Sequence, residues 1–466
     1  AVEKLSLYNA SGRKSLFLAF WPRQKAKLGV GEGAGGCAPW LPPLAALFQQ
    51  PVRGGRRGAI SLIFHKNEGS INAWQPRSAG DVVVPPRVGA AMQLLIFALV
   101  AAAFTNVYIT QPVLPVIQQE FAVSALQASL TMSAVIFGMA LANLPFGALA
   151  DVVKVQYLIG SGGLMVALSG SICALTHDFW LLVAARWLQG LFIPPLTTCL
   201  AAYLAVNVPP GQLNVVMGSY VSATVAGGLG GRLLGGFIHP PLHWRYAFVT
   251  AAVALLAATL AAVRRLPPGQ RPRRSGQAAA GFCQILAEAR TVRLLLVPFG
   301  AFFVFSSSFN YLPFYLAGPP FFASTQIITL FYLTYLVGII IGPLAGKLSN
   351  RIGNGRAMMG GAAVFALALL TTLVPAMIVI ILALLGICLG FFTIHAAAAG
   401  ALNRSVTSGQ GKANSLYVLF YYLGGALGIT LNGYAFSLLG WPGVVWLGLF
   451  TLLLPGAIGF NERRLT

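Results

Sequence analysis

Two arginines interrupt long apolar stretches of this sequence, Arg186 within Phe179–Val206 and Arg232 within Val215–Ile238. A charged side chain near the middle of a bilayer costs about 2.5–3.5 kcal/mol on insertion scales, so such a residue is a candidate for function. Neither stretch contains a carboxylate that would neutralise its arginine. Both arginines have a similar predicted depth, and we therefore expect them to line one cavity.

Aromatic and amide side chains form a second set of candidates, at near-helical spacing in three further apolar stretches. Such groups suit a mostly apolar pocket with a few polar anchors; hydrogen bonding between helices is the alternative interpretation. Together with Arg232, the candidates for ligand contact are Asn106, Tyr108 and Gln111, then Asn310, Tyr311 and Tyr315, and finally Tyr417, Tyr421 and Asn432.

The motifs of several enzyme classes are missing. There is no G-x-x-x-x-G-K-[ST] phosphate loop, no H-E-x-x-H and no G-x-S-x-G. The five cysteines are scattered, without a C-x-x-C pair or a histidine at metal-binding spacing. These absences argue against an enzyme, an ATP-driven pump, a bound metal and a disulfide framework.

The composition is that of a multi-pass membrane protein. Hydrophobic residues make up 57% and charged residues 8% of 466 residues, against roughly 25% charged residues in soluble domains. Mean hydropathy is +0.78. The net charge of +21 comes from basic residues between apolar runs, which indicates membrane topology rather than nucleic-acid binding.

Hydropathy predicts twelve membrane-spanning helices. The predicted spans are Leu94–Ile117, Leu126–Ala150, Tyr157–Leu175, Phe179–Val206, Val215–Ile238, Trp244–Val263, Leu294–Ala317, Gln326–Leu348, Ala357–Leu373, Met377–Leu402, Leu416–Leu439 and Trp441–Phe460. Lysine and arginine concentrate in every second loop, whereas the alternate loops carry only Arg245. By the positive-inside rule, both termini are expected in the cytoplasm.

The chain divides into two similar halves. We predict a six-helix bundle at 92–263, a cytoplasmic linker at 264–293, a second six-helix bundle at 294–460 and a tail at 461–466. Residues 1–91 are predicted to be a disordered basic arm. If translation starts at Met92, this arm is not part of the native protein. AGGLGG at 226–231 is echoed by LGGALG at 423–428, and internal duplication is typical of transporters that rock two bundles about a central site.

The fifth span resembles the antiporter signature of the major facilitator superfamily, and the likeness extends from about Leu94 to Phe460. That signature is G, eight residues, G, three residues, G-P, two residues, G-G. Its glycines correspond to Gly218, Gly227, Gly231, Gly235 and Gly236. Arg232 replaces the signature's proline. We expect these glycines to form a hinge against the eighth span.

Two loop elements add to the resemblance and imply gating residues. Gly147, Asp151 and Lys154 match the family's loop after the second span, although most of its basic cluster is missing. Arg351 and Arg356 occupy the corresponding loop of the second half. In the family, this element locks the cytoplasmic side by pairing its aspartate with basic groups, and we expect the same role here.

Proton coupling follows from the resemblance only in part. Arg186 matches the arginine of the family's R-x-x-Q-G pattern, which is associated with coupling. His395 in the tenth span has a side chain whose unperturbed pKa of about 6.5 suits a proton carrier, although it could equally be a packing residue. Asp151 acting with Arg186 or Lys154 is an alternative carrier, and an uncoupled facilitator remains open.

The seventh-span sequence FNYLPFYLAGPPF resembles the YnfM-like branch of bacterial drug:proton antiporters. The resemblance implies an inner-membrane transporter that exports amphipathic compounds against protons, with no cofactor beyond the proton gradient. Its expected partners are a small-molecule substrate, protons and the lipid bilayer, and we expect a monomer. The alternatives are an importer or facilitator of a small polar or anionic solute, such as a sugar or organic acid, and a transporter-like sensor that moves nothing.

Overall fold

The computed structural model describes residues 89–267, 281–406 and 409–465. Most of the predicted arm (1–91) and the middle of the predicted linker lie outside the described residues. Within these ranges the chain is helical and contains no strand. The fold class predicted from hydropathy is therefore confirmed.

The first half contains eight α-helices that make up six spans. They are α1 (Ala90–Tyr108) with α2 (Leu114–Glu120), α3 (Ala125–Leu149), α4 (Val155–Leu175), α5 (Phe179–Phe192) with α6 (Thr198–Asn207), α7 (Pro210–Ile238) and α8 (Arg245–Arg265).

The second half begins with a short helix of the linker and continues with six more spans. Its helices are α9 (Phe282–Ala287), α10 (Ala289–Ala317), α11 (Thr325–Phe331) with α12 (Leu336–Ile352), α13 (Asn354–Thr371), α14 (Met377–Ser405), α15 (Gln410–Leu439) and α16 (Trp441–Leu465).

Eleven of the twelve described spans are long and apolar enough to cross a membrane by length and composition. The remaining one is α13, which corresponds to the predicted ninth span and is 18 residues long. Its first turn contains the polar residues Asn354 and Arg356, which lower its average hydropathy. It packs between α14 and α16 as part of the second bundle.

Three spans are interrupted by a short 3₁₀ segment. The first span breaks at Gln111–Val113 and the fourth at Pro194–Leu196. Proline has no N–H to donate and its ring disrupts the preceding turn, which accounts for these two breaks. The eighth span breaks at Tyr332–Tyr335. A 3₁₀ stretch inside a helix often marks a functional position.

Each half packs mainly within itself, and contacts between several spans join the halves. The most extensive of these contacts are those of α3 with α15 and of α7 with α11, and α10 also touches α2 and α3. Ser129 of α3 accepts a hydrogen bond from the Asn310 amide of α10 at 2.8 Å. The halves are therefore closed against each other at the end opposite Lys154, Arg351, Arg404 and Lys412. We call the end that carries these four residues the basic face.

Glycines of the fifth span bring its backbone against the first span. A Cβ atom added at Gly227, Gly231 or Gly235 would collide with a backbone carbonyl oxygen of α1 or of the residue after it, Ile109. The expected hinge against the eighth span is therefore wrong for these three glycines, because their small face meets the first span. Of the five signature glycines, Gly236 alone faces the eighth span, where an added Cβ atom would meet Thr329. A Cβ atom added at Gly218 would meet no atom of another described span within 4 Å.

The echo between the halves corresponds to a repeated packing arrangement. In α15, a Cβ atom added at Gly424 or Gly428 would meet the backbone of Phe299 or Phe303 in α10. The eleventh span therefore packs on the seventh as the fifth packs on the first. This repetition supports the prediction of two similar halves.

Candidate functional site

A cavity of about 760 Å³ lies between the two halves, within the range of roughly 300–1,000 Å³ that ligand pockets occupy. Asp151, Lys154 and Lys412 line it at the basic face, and Arg232 lines it at the other end. Arg232 is only 3% exposed. The cavity is thus open toward the basic face and closed beyond Arg232.

Three neutral acceptors hold the guanidinium of Arg232. Its Nε donates to Oε1 of Gln111 at 2.6 Å, and Nη1 donates to the carbonyl oxygen of Gly228 at 2.9 Å. Nη2 donates to the hydroxyl of Tyr335 at 3.1 Å. Gln111 lies in the break of the first span and Tyr335 in the break of the eighth, so both irregular segments are used to position this arginine.

Three tyrosine rings surround the same guanidinium. The Cζ atom lies 3.9 Å from the ring centroid of Tyr108, 4.2 Å from that of Tyr335 and 5.3 Å from that of Tyr332. Each cation–π contact contributes about 0.5–2 kcal/mol, more when the site is dry. These rings stabilise the charge without neutralising it.

No carboxylate pairs with Arg232 among the described residues. Among these residues, Glu120 pairs with Arg245 and Arg290 pairs with Glu462, each within one half. Opposite charges 4 Å apart attract by about 4 kcal/mol at an effective dielectric constant of 20. The closed end of the cavity therefore favours an anion over a cation.

Aromatic side chains of the second half form one wall of the cavity. The wall consists of Phe302, Phe305, Phe391, Phe392, Tyr421 and Tyr422. The ring centroids of Phe302 and Tyr421 are 3.8 Å apart, and those of Phe305 and Phe391 are 3.9 Å apart, both in stacked geometry. This aromatic wall offers a flat apolar surface beside the buried charge.

His395 lines the cavity next to the aromatic wall. The Tyr417 hydroxyl lies 3.0 Å from Nδ1 of His395 and donates to its backbone carbonyl oxygen at 3.2 Å. The ring of His395 is 5.9 Å from that of Phe391 in stacked geometry. Tyr417 itself is buried behind the histidine and does not line the cavity, so it positions His395.

Arg186 lies elsewhere, contrary to the expectation that both arginines line one cavity. It is 0% exposed. Its Nη1 donates to the carbonyl oxygen of Asn106 at 2.7 Å, its Nη2 to that of Val107, and its Nε to that of Thr131 at 3.0 Å. The first two carbonyls end α1, where the helix leaves its last acceptors without partners. Arg186 therefore stabilises the break that presents Gln111 to Arg232.

The other predicted contact residues divide between the cavity and the packed interior. Tyr108, Gln111, Arg232 and Tyr421 line the cavity, as do His395, Asp151, Lys154 and Gly147. The predicted ligand contacts that do not line the cavity are Asn106, Asn310, Tyr311, Tyr315, Tyr417 and Asn432.

These six residues are engaged in contacts of the interior. Asn310 bonds Ser129 across the halves, and Tyr311 donates to the Ile429 carbonyl oxygen at 2.9 Å. Tyr315 stacks on Trp441 at 4.7 Å. Asn310, Tyr311 and Tyr315 were wrongly placed in the cavity because this end of the seventh span lies where the halves are closed. Asn106 and Asn432 donate instead to carbonyl oxygens of their own helices, those of Ala102 at 2.9 Å and Gly428 at 3.0 Å, and Tyr417 lies behind His395.

The expected gate at the basic face is not closed in this structure. Asp151 forms no ion pair with a basic group of the described chain, although it lines the cavity with Lys154. Arg351 and Arg356 are exposed and do not line the cavity. The open mouth explains why the predicted lock between the halves is not formed here.

Sequence reasoning missed Tyr332, Tyr335 and most of the aromatic wall. A signal was present, since Phe302-Phe303, Phe391-Phe392 and Tyr421-Tyr422 are adjacent aromatic pairs. Each pair presents at least one ring to the cavity. Adjacent aromatic residues are common in apolar helices. Only the assembled bundle therefore shows which of them line the cavity and which pack in the hydrophobic core.

Comparison with known proteins gives a consistent assignment. The sequence profile of the Major Facilitator Superfamily matches residues 96–341 and 317–460. The chain is similar to the uncharacterized MFS-type transporter YybF of Bacillus subtilis, with 28% identity over 77% of this chain and 90% of that protein. It is also similar to the inner membrane transport protein YnfM of Escherichia coli, with 28% identity over 80% of this chain and 90% of that protein.

A solved structure shows the same fold. It is a bacterial homolog of the human lysosomal transporter Spinster in an inward-facing, unoccupied conformation. The TM-score is 0.66 at 15% identity, covering 80% of this chain and 96% of that chain. At this identity the likeness establishes the fold alone.

Proposed function

The chain belongs to the major facilitator superfamily, a family of membrane transporters, and from this premise we propose that it exports small amphipathic compounds in exchange for protons. One observation carries the proposal. The cavity between the halves combines an aromatic wall with a titratable histidine and ends at a buried arginine. A flat apolar body fits the wall, and a polar group of the substrate fits the end.

His395 supports the exchange with protons. An imidazolium needs water or a hydrogen-bond partner, because burying an unsolvated charge is costly. An apolar substrate that covers the His395 ring therefore favours the neutral imidazole. Proton and substrate then exclude each other from the same cavity, which is the requirement for antiport. Asp151, Lys154, Lys412 and Arg232 are the other charged groups that line this cavity.

Alternating access supplies the transport step. The cavity is open at the basic face and closed beyond Arg232, where Asn310 meets Ser129. Rocking of the halves would open that end and close the basic face, where Asp151 and Lys154 are positioned to pair with the facing loops. We propose that the basic face is cytoplasmic, that the membrane is a bacterial inner membrane and that the transporter works as a monomer without a cofactor.

Flux in proteoliposomes tests the proposal. The purified full chain is reconstituted with an imposed pH gradient, and three naphthalene probes are loaded: 2-naphthalenesulfonate, 2-naphthylmethanol and (2-naphthylmethyl)trimethylammonium. We expect protein-dependent flux of at least one probe that slows when an ionophore collapses the pH gradient. Flux that is insensitive to the gradient would overturn antiport in favour of a facilitator. Binding without flux would favour a sensor.

A further inference from the structure

We propose that the substrate is an organic anion, whose acidic group binds Arg232 while its flat apolar body lies on the aromatic wall. The inference rests on the proposed function and names the substrate class of the same cavity. Its starting point is the contrast between the two buried arginines. Arg186 is enclosed by backbone carbonyls and lies away from the cavity, whereas Arg232 lines it.

Arg232 retains the capacity to bind a further group. Its three hydrogen bonds all go to neutral acceptors. Each terminal nitrogen of a guanidinium carries a second N–H group, and no hydrogen bond within the described part of the chain uses these two. The planar fork of a guanidinium matches the paired oxygens of a carboxylate or sulfonate. An anion at the closed end would therefore complete the coordination of this arginine.

The surroundings hold the guanidinium ready for an anion. Tyr108 and Tyr335 lie against it at 3.9 and 4.2 Å, and Gln111 fixes its Nε. A binding group that is already fixed loses little freedom when the ligand arrives. The Tyr335 hydroxyl accepts from Arg232 and keeps its own proton for donation to an anionic oxygen.

The aromatic wall indicates what the anion is attached to. Ring centroids lead from Tyr335 to Phe305 at 5.4 Å and from Phe305 to Phe391 at 3.9 Å. His395 follows at 5.9 Å from Phe391. A rigid ligand with its charge on Arg232 can therefore extend along continuous rings toward His395. An aromatic or similarly flat acid fits this arrangement.

The other charged groups of the cavity do not counteract this preference. Asp151, Lys154 and Lys412 are at the basic face, and His395 lies beside the aromatic wall. A cationic ligand on the same wall would meet Arg232 at the closed end with like charge. The rings of Tyr108, Tyr332 and Tyr335 at that end would attract a cation, but Arg232 already lies over them.

Binding of the three permanently charged or neutral naphthalene probes tests the inference. Purified full-length protein in detergent is titrated with 2-naphthalenesulfonate, 2-naphthylmethanol and (2-naphthylmethyl)trimethylammonium, with Kd from calorimetry and Tm as a second readout. We expect the sulfonate to bind about tenfold to a hundredfold more tightly than the neutral alcohol, the range expected for charge-assisted hydrogen bonds. The ammonium probe should bind more weakly than the alcohol.

Variants of the arginine provide the second arm. Arg232→Gln should abolish the preference for the sulfonate while leaving the affinity for the alcohol within about threefold, since the aromatic wall is retained. Arg232→Lys should keep part of the preference, because it keeps the charge without the planar fork. Arg264→Gln, an exposed arginine at the end of α8, is the matched control and should change nothing.

The wild-type comparison among probes remains decisive if Arg232→Gln fails to fold. Equal or tighter binding of the alcohol or the ammonium probe would overturn the anion inference and leave the proposed export of amphipathic compounds standing. A different result would separate the two proposals. If the sulfonate binds only when Arg232 is present but no probe moves in proteoliposomes, the anion site is supported and the transport proposal is contradicted.

Discussion

The guanidinium of Arg232 in the first half donates a hydrogen bond to the hydroxyl of Tyr335 in the second half, at 3.1 Å. The two residues meet at the closed end of the cavity, so separating the halves there must break this bond. A net contribution of about 1.5–3 kcal/mol is typical for a hydrogen bond to a charged group. Arg232 therefore has two tasks, binding a ligand and holding the halves together.

The first prediction concerns this contact. Tyr335→Phe removes the hydroxyl but keeps the ring over Arg232, and we expect it to shift the population toward opening at the face opposite the basic face by about tenfold. Spin labels at Leu242 and Ile327, which are exposed near that face, would report the distance change by double electron–electron resonance. Tyr332→Phe is the control, because its hydroxyl bonds Phe309 within the same half. An equal shift in both variants would contradict the assignment.

A second prediction concerns the packing of the fifth span. Gly231→Ala places a methyl group against the carbonyl oxygen of Thr105, and overpacking of this kind costs about 1–3 kcal/mol. We expect a lower Tm in detergent and reduced flux. Gly218→Ala has open space around it and should leave Tm unchanged or slightly raised, since alanine favours helix by about 1 kcal/mol. A Tm for Gly231→Ala equal to that of the wild type would show that the close contact is dispensable.

The third prediction separates two roles of Arg186. Arg186→Met leaves the carbonyls of Asn106, Val107 and Thr131 without their donor, at about 1–3 kcal/mol for each buried group. We expect a large loss of Tm and weaker binding of 2-naphthalenesulfonate, because the break that holds Gln111 is no longer stabilised. Arg186→Lys should retain part of the Tm and part of the affinity for 2-naphthalenesulfonate that Arg186→Met loses. An unchanged Tm together with loss of the pH dependence of flux would favour the coupling role implied by the family resemblance over a role in stabilising the break of the first span.

The fourth prediction concerns pH. If His395 carries the exchanged proton, its protonated form excludes the substrate, so binding of 2-naphthalenesulfonate should strengthen as pH rises and weaken as pH falls. The sulfonate keeps its charge throughout, which leaves the protein as the source of the dependence. His395→Gln should make the titration flat, and His177→Gln, an exposed loop histidine, should retain it.

Two other outcomes of the titration would contradict His395 as an antiport carrier. Tighter binding at low pH would mean that proton and anion enter together, which is symport. A dependence that survives in His395→Gln and disappears in Asp151→Asn would assign the carrier to Asp151, which also lines the cavity.

Hydropathy alone predicted the helices, whereas their division into two halves was predicted from the linker at 264–293 and from the internal repeat. The ends of the predicted spans, from Leu94–Ile117 to Trp441–Phe460, agree with the described helices to within six residues, because a chain segment in lipid must satisfy its backbone hydrogen bonds internally. The echo of glycines at 226–231 and 423–428 also predicted a repeated packing that the structure contains. Arg232 was identified from the cost of its charge.

Only the tertiary structure decided which side chains share the cavity. Arg186 and Arg232 look equivalent in sequence, yet one satisfies backbone carbonyls at a helix break and the other lines the cavity. Asn310 and Tyr311 were expected at the site and lie where the halves are closed, while Tyr335 and Phe305 were overlooked. The physical reason is that hydropathy specifies whether a segment is buried in lipid. The rotation of each helix, the position of its break and the end at which the bundles close depend on packing between segments distant in sequence.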